Sequence, residues 1–218
     1  YVGTVTFKLS GTVTDLVGNA FAGAIPTLNV TSSNLVQNAQ DAQKAVAEGG
    51  VTIFVSDIAV QEEELVKGYG SNKTGIAQTN LGVINGNGKT LSVVGANRTW
   101  DSAIYTKGGT IKNLTIDSGF RGIFIANPTE DIIIDNVTID GSTYTISVDA
   151  GGNKNLTVTN STLNGWTSYA ATLANVSFTN CKFGEGNNYA FLRPYAPSTF
   201  ANCEFETGFK LDATKTSS

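Results

Sequence analysis

The chain has 218 residues and a mass of 22.8 kDa, and its 40% hydrophobic content is enough for one large or two small domains with a sizeable core. A formal net charge of -4, spread along the sequence without a basic run, excludes the concentrated positive charge that a nucleic-acid partner or an anionic membrane surface requires. No stretch approaches the roughly 18 to 20 apolar residues of a bilayer span, so no transmembrane segment is expected.

Abundant Gly, Asn and Thr favour many strands joined by tight turns, because Thr suits strands while Asn and Gly tolerate left-handed backbone. Residues 1–34 carry the alternating stretches "TVTFKLSGTV" and "IPTLNVT" and read as an N-terminal β segment or cap. A start at Tyr1, without an initiator Met or a charged leader, fits either a processed secreted product or a trimmed piece of a longer chain. Residues 35–48, "LVQNAQDAQKAVAE", place Leu35, Val36, Ala39, Ala42, Ala45 and Val46 on one face, with Ser33 or Asn34 as N-cap and Gly49-Gly50 as the stop. That spacing predicts a short amphipathic helix, suited to lid the open end of a solenoid. "VTIFVSD" at 51–57 reads as the first strand after it. "NGNGKT" at 85–90 has the look of a phosphate loop, yet it lacks the four-residue gap before Gly-Lys and has strand on both sides, so it reads as a turn.

From there to residue 205 the chain repeats itself. "TIKNLTID", "IIIDNVTIDG", "LTVTNSTLNG", "VSFTNCKFGE" and "STFANCEFET" align on Asn113, Asn136, Asn160, Asn180 and Asn202, spaced by 23, 24, 20 and 22 residues. Two residues before each Asn stand Ile111, Ile134, Val158, Phe178 and Phe200, and three after stand Ile116, Ile139, Leu163, Phe183 and Phe205. "GNGKTLSV" is a weaker earlier copy with Leu91 and Val93 in place of Leu114 and Ile116. Periods of 20 to 24 residues admit the leucine-rich repeat and the parallel β-helix. The mixed Ile, Val and Phe ladder, with further strands at "GIFIA", "YTISV" and "YAFLR", selects the β-helix. Apolar parity breaks at each aligned Asn, which marks a bend where Asn takes positive φ, and Asn residues stacked about 4.8 Å apart would hydrogen-bond amide to amide. The expected fold is all-β: a right-handed single-stranded parallel β-helix of about six to seven coils over 35–205, with a short N-terminal capping α-helix and a polar C-terminal tail at 206–218.

These features resemble the right-handed parallel β-helix proteins of the pectin-lyase-like class, bacterial secreted or cell-surface proteins among them. The resemblance rests on the helix followed by "GGVTIFV", on "VINGNGKTLSV", and on the successive "IKNLTI", "IIIDNVTI" and "LTVTNSTL" coils. It implies the fold, and it implies lyases, hydrolases, tailspikes and adhesins alike. The hydrolase pattern needs an adjacent Asp-Asp and a Gly-His-Gly, and the chain has no His and no Asp-Asp. "LRPYAPS" at 192–198 has the Arg-Pro of the lyases without their second Arg, so Arg193 receives no catalytic role from it.

Candidate sites come from the irregular sequence between the repeats. Trp166, Tyr169, Tyr189 and Tyr195 fall in the variable half of successive coils, where exposed rings would stack on sugar rings with Arg193 and Asn187 or Asn188 as polar partners; interior plugging is their bland alternative. Asp117 and Asp140 occupy equivalent positions on neighbouring coils and are the carboxylates a lyase or glycoside hydrolase would use, with Ca²⁺ as the cofactor under the lyase alternative. The bland reading is that they close exposed turns, since Asn164 and Gly184 stand next in the same column. Cys181 and Cys203 share an inward ladder, and with no His they lack the base a nucleophile needs, so they read as stacked thiols or a disulfide. Eight Asn-x-Ser/Thr sequons, at Asn29, Asn72, Asn97, Asn113, Asn136, Asn155, Asn160 and Asn175, read as a by-product of composition rather than as glycosylation sites. The expectation is a monomeric, non-catalytic secreted or cell-surface domain that binds polysaccharide, without metal or cofactor. A purely structural or adhesin module is the remaining alternative.

Overall fold

A computed structural model of the chain describes residues 33–94, 101–118, 120–169 and 171–212. The chain divides into a unit of residues 1–33 and one of residues 34–218. The expected β segment at 1–34 lies, apart from its last two residues, outside the described residues, as do residues 213–218 of the expected tail.

The fold is a right-handed parallel β-helix with a short N-terminal capping helix. One continuous sheet runs through Ser33–Val36, Gly50–Phe54, Gly82–Val93, Gly109–Ser118, Ile132–Asp140, Leu156–Thr159, Val176–Thr179 and Ser198–Ala201. Each coil bends midway along this sheet. In the later coils the bend splits the strand in two, so that Thr162–Asn164, Lys182–Gly184 and Glu204–Phe205 continue it as a second wall. A separate lateral sheet stacks Lys73–Gln78, Ser102–Thr106, Arg121–Ala126, Tyr144–Ala150, Trp166–Tyr169, Phe191–Arg193 and Lys210–Leu211 in parallel. About five turns are complete. That is fewer than the six to seven coils expected: Val66–Lys67 pairs antiparallel with Lys73–Gln78 at one end, and strands of two residues finish the other.

The bend has the form read from the repeat. Asn113, Asn136, Asn160, Asn180 and Asn202 all have φ between 52° and 56°, the left-handed region that Asn tolerates best after Gly. Asn113 donates to Asn85 Oδ1 (3.1 Å), Asn136 to Asn113 (2.9 Å), Asn180 to Asn160 (3.1 Å) and Asn202 to Asn180 (2.8 Å). The chain of amides is broken once, where Asn160 donates to Asp135 Oδ1 (2.8 Å) in place of Asn136. The ladder runs along the surface, with Asn136, Asn160, Asn180 and Asn202 exposed, so it pins the bend rather than rescuing buried amides. In the first bend Asn87 takes the left-handed position (φ 53°) beside a register shift, and a Cβ on Gly86 would stand 2.6 Å from the Asn113 carbonyl oxygen.

The inward columns are the predicted ones in the five full copies; in the weaker earlier copy Leu91 pairs with Ile116 and Val93 with Ser118, two residues from the expected alignment. Ile111, Ile134, Val158 and Phe178 on one side of the bend, and Ile116, Ile139, Leu163 and Phe183 on the other, are all buried. Each buried aliphatic of this size contributes about 1.5 to 3 kcal/mol. The last coil differs: Phe200 and Phe205 stack on Phe178 and Phe183 with interplanar angles of 7° and 6°, yet stay exposed, and with Leu192, Phe209 and Leu211 they line an apolar recess of about 320 Å³ at the C-terminal end.

Helix α1 (Ala39–Glu48) closes the opposite end, burying Ala39, Ala42, Ala45 and Val46. It is shorter than the sequence pattern implies. Asn38, not Ser33 or Asn34, is its N-cap, and its side-chain oxygen accepts from Asp41 N at 2.9 Å. Leu35 and Val36 belong to the strand Ser33–Val36, where alternation leaves Leu35 67% exposed and Val36 buried.

Candidate functional site

The outer face of the lateral sheet carries a column of aromatic rings. Parallel register sets Tyr144 beside Trp166 and Trp166 beside Phe191, so a parallel ladder places their side chains on one face, one coil apart. Phe120 and Tyr144 are tilted at 5.3 Å between ring centroids. Tyr144 and Trp166 are stacked at 4.6 Å, and Trp166 and Tyr189 at 5.8 Å with 20° between planes. Phe191 meets Trp166 edge-on at 5.1 Å.

Tyr189 reaches the column from a turn rather than from a strand. Gly186 N donates to Tyr189 O and Tyr189 N to Gly186 O, both at 2.8 Å, around Asn187 and Asn188 with φ of 47° and 63°. Two consecutive left-handed residues make a tight reversal that Asn accepts and β-branched residues do not. Asn187 Nδ2 then ties the turn to Gly141 O at 2.7 Å, two coils back. The result holds Tyr189 43% exposed over the indole.

Charge is concentrated at the same place. The Arg193 guanidinium lies 4.7 Å from the Trp166 ring centroid, and its Nε donates to Asp212 Oδ2 at 3.2 Å. The guanidinium thus combines a cation–π contact with a charge-assisted hydrogen bond. Trp166, Glu185, Asn188, Tyr189, Phe191, Arg193 and Lys210 line an open recess of about 450 Å³. Further up the column Arg121 is buried, 4.2 Å from the Phe124 centroid, and donates to Asp149 Oδ2 at 2.6 Å. Burial among these rings pushes the Tyr144 phenol above the ordinary tyrosine value.

Of the residues singled out from sequence, Trp166, Tyr189 and Arg193 come together here. Tyr169 does not: it is 0% exposed, points into the core against Phe178 and bonds Ser198 through its hydroxyl at 3.4 Å, so the expectation of an outward ring is corrected. The reason is strand parity, since Tyr169 is three residues from Trp166 and faces the opposite way. Tyr195 is half-buried and lines a separate recess with Pro194, Pro197 and Phe200. Sequence reasoning passes over Tyr144, Phe191 and Lys210; register with Trp166 is the signal that finds them.

The acidic candidates lie on the other sheet. Asp117 and Asp140 are direct register partners, both exposed, and Gly141 N donates to Asp140 Oδ1 at 3.0 Å, which is turn closure. Among the described residues no group of three or more His, Cys, Asp or Glu side chains is placed to hold a metal ion. Asp131 and Asp135 belong to polar ladders. Asp131 accepts from Asn155 N and Nδ2 (2.9 and 3.0 Å), and Asn175 donates to Asn155 Oδ1 at 3.1 Å. Asp135 accepts from Thr159 Oγ1 at 2.6 Å as well as from Asn160. These hydrogen bonds, the Asn155 backbone N–H first for Asp131 and the Thr159 hydroxyl first for Asp135, hold both carboxyls below the ordinary aspartate value.

The ladders also bear on the sequons. Asn113, Asn136, Asn155, Asn160 and Asn175 each commit the side-chain nitrogen to which a glycan would be attached. Asn29 and Asn97 lie outside the described residues.

No helix among the described residues is long and apolar enough to cross a membrane. Compared with family models, curated proteins and solved structures, the chain matches none of them. Its architecture is consistent with the pectin-lyase-like class.

Proposed function

We propose that this chain is a non-catalytic β-helix domain of a secreted or cell-surface protein that binds polysaccharide along the outer face of its lateral sheet. One observation carries the reading: the Tyr144–Trp166–Tyr189 stack opens onto a recess of about 450 Å³ whose polar edge is Arg193, Lys210, Glu185 and Asn188. Sugar rings present C–H faces that pack on aromatic rings and hydroxyls that need placed donors and acceptors, and this recess sets the exposed Tyr189 ring beside the charged and amide groups of its edge. Its size falls in the range of roughly 300 to 1,000 Å³ usual for ligand clefts. The test is a panel of soluble polysaccharides run by affinity electrophoresis with the wild-type chain and with Trp166→Ala. Retardation by at least one polysaccharide, abolished in the variant, supports the reading; a panel without any retardation sinks it.

The stacked pair Asp117 and Asp140 favours a second reading, hydrolysis or lyase chemistry on the other sheet. It is separable from the first. Product release from an acidic polysaccharide that survives Trp166→Ala and is lost in Asp140→Asn would favour it over binding alone.

A further inference from the structure

Two registers bracket the cysteines: Thr179 pairs with Ala201, and Lys182 with Glu204. Cys181 and Cys203 are therefore direct neighbours on adjacent coils, with Cα atoms about 4.8 Å apart, the ordinary spacing of paired strands. That spacing lies inside the range of roughly 4.4 to 6.8 Å that disulfide-bonded Cα atoms usually span. The two side chains also make the same contacts one coil apart. Cys181 Sγ donates to Thr179 O (3.4 Å) and Val158 O (3.5 Å); Cys203 Sγ donates to Ala201 O (3.5 Å) and Phe178 O (3.6 Å). Both are free thiols, Cys181 buried and Cys203 half-buried.

We propose that Cys181 and Cys203 are an oxidisable pair whose inter-coil disulfide fixes the coil that carries the lateral recess. The span between them contains Glu185, Asn188, Tyr189, Phe191 and Arg193, so one bond would close a loop around most of that recess. The closure itself does not depend on what the recess binds.

The chemistry balances with a low-molecular-weight disulfide as oxidant. Cys203, the more exposed thiol, loses its proton to water, attacks one sulfur of the reagent and releases one small thiol. Cys181 then gives up its proton, attacks the Cys203 sulfur and releases the second small thiol. Two protein thiols are oxidised and one disulfide is reduced. Burial pushes the Cys181 thiol up, which makes it the resolving group and not the first nucleophile.

The experiment treats the full folded chain with oxidised glutathione, denatures it in an alkylating agent, and reads intact mass, a peptide map and hydrogen exchange. The expected result is no alkylated cysteine, a mass lower by two hydrogens, a peptide joining 181 to 203, and at least tenfold slower exchange across 185–193. Two alkylated cysteines, glutathione retained on Cys203, or a dimer linked through Cys203 would each overturn the pairing. A disulfide that leaves exchange across 185–193 unchanged would overturn the fixing role. Cys203→Ser serves as the folded control, because Ser161 holds the equivalent position two coils earlier with its Oγ on Thr159 O at 2.7 Å. It should show no slowing under the same oxidant.

Discussion

Tyr144 and Trp166 lie one coil apart with ring centroids separated by 4.6 Å and planes inclined by 19°, and they turn the register of a parallel ladder into a continuous stack of rings. If that stack holds a saccharide, Trp166→Ala removes the central ring and the seat of Arg193 together. An aromatic contact of this kind is worth about 0.5 to 1.5 kcal/mol beyond its area, and with the lost area the affinity should fall at least tenfold. Tyr189→Ala, at the exposed edge, should weaken binding about threefold to tenfold while leaving the melting temperature within a degree or so of wild type. Titration calorimetry against the best polysaccharide of the panel, with Phe200→Ala as a control remote from the recess, checks both.

Arg193 makes a sharper discrimination. Lysine keeps the charge and loses the planar group that lies over Trp166. Arg193→Lys should therefore lose most of the affinity that Arg193→Ala loses. Calorimetry of both variants decides it; full retention by the lysine variant would mean that charge alone matters.

The Asn ladder should reveal itself in a pair of substitutions at one bend. Asn136→Ala loses the donation to Asn113 and places an alanine at a φ of 53°, at a combined cost of about 1 to 3 kcal/mol. Asn136→Gly loses the same hydrogen bond without the backbone strain, so it should cost roughly half as much. Urea unfolding monitored by circular dichroism measures the difference. Equal losses would place the whole effect in the amide ladder.

Acid should loosen the coil wall that holds Asp131 and Asp135. Both carboxyls sit below the ordinary aspartate value of 3.8 in the folded chain, so the unfolded chain binds protons more readily there. Their contribution is complete above that value and is lost as pH falls through the lower folded value. Asp135→Asn should flatten the fall in melting temperature between about pH 5 and pH 2, and an unchanged acid profile would assign that fall to other groups.

Much of the scaffold is readable in the sequence because two signals coincide at each coil. The inward columns at Ile134 and Ile139 are apolar in every copy, and the parity break between them falls on an Asn with positive φ. The lateral sheet is harder to read. Every residue of Arg121–Ala126 is buried, so the alternation that separates inward from outward side chains is missing there. Tyr169 is misjudged when coil variability is equated with exposure, whereas strand parity sends it inward. Leu35 and Val36 continue the apolar spacing of helix α1, and only the Asn38 cap shows that the helix begins after them. The recess itself needs Tyr144, Phe191 and Lys210 beside Trp166, an arrangement set by register and not by any motif.

The most direct test of a lateral binding face is hydrogen–deuterium exchange with and without a saturating polysaccharide from the panel. The expected footprint is protection of the peptides covering 144–148, 166–169 and 185–193, with 109–118 and 132–140 unchanged. Protection confined to 109–118 and 132–140, around Asp117 and Asp140, or no protection anywhere on a demonstrably bound chain, would contradict the assignment.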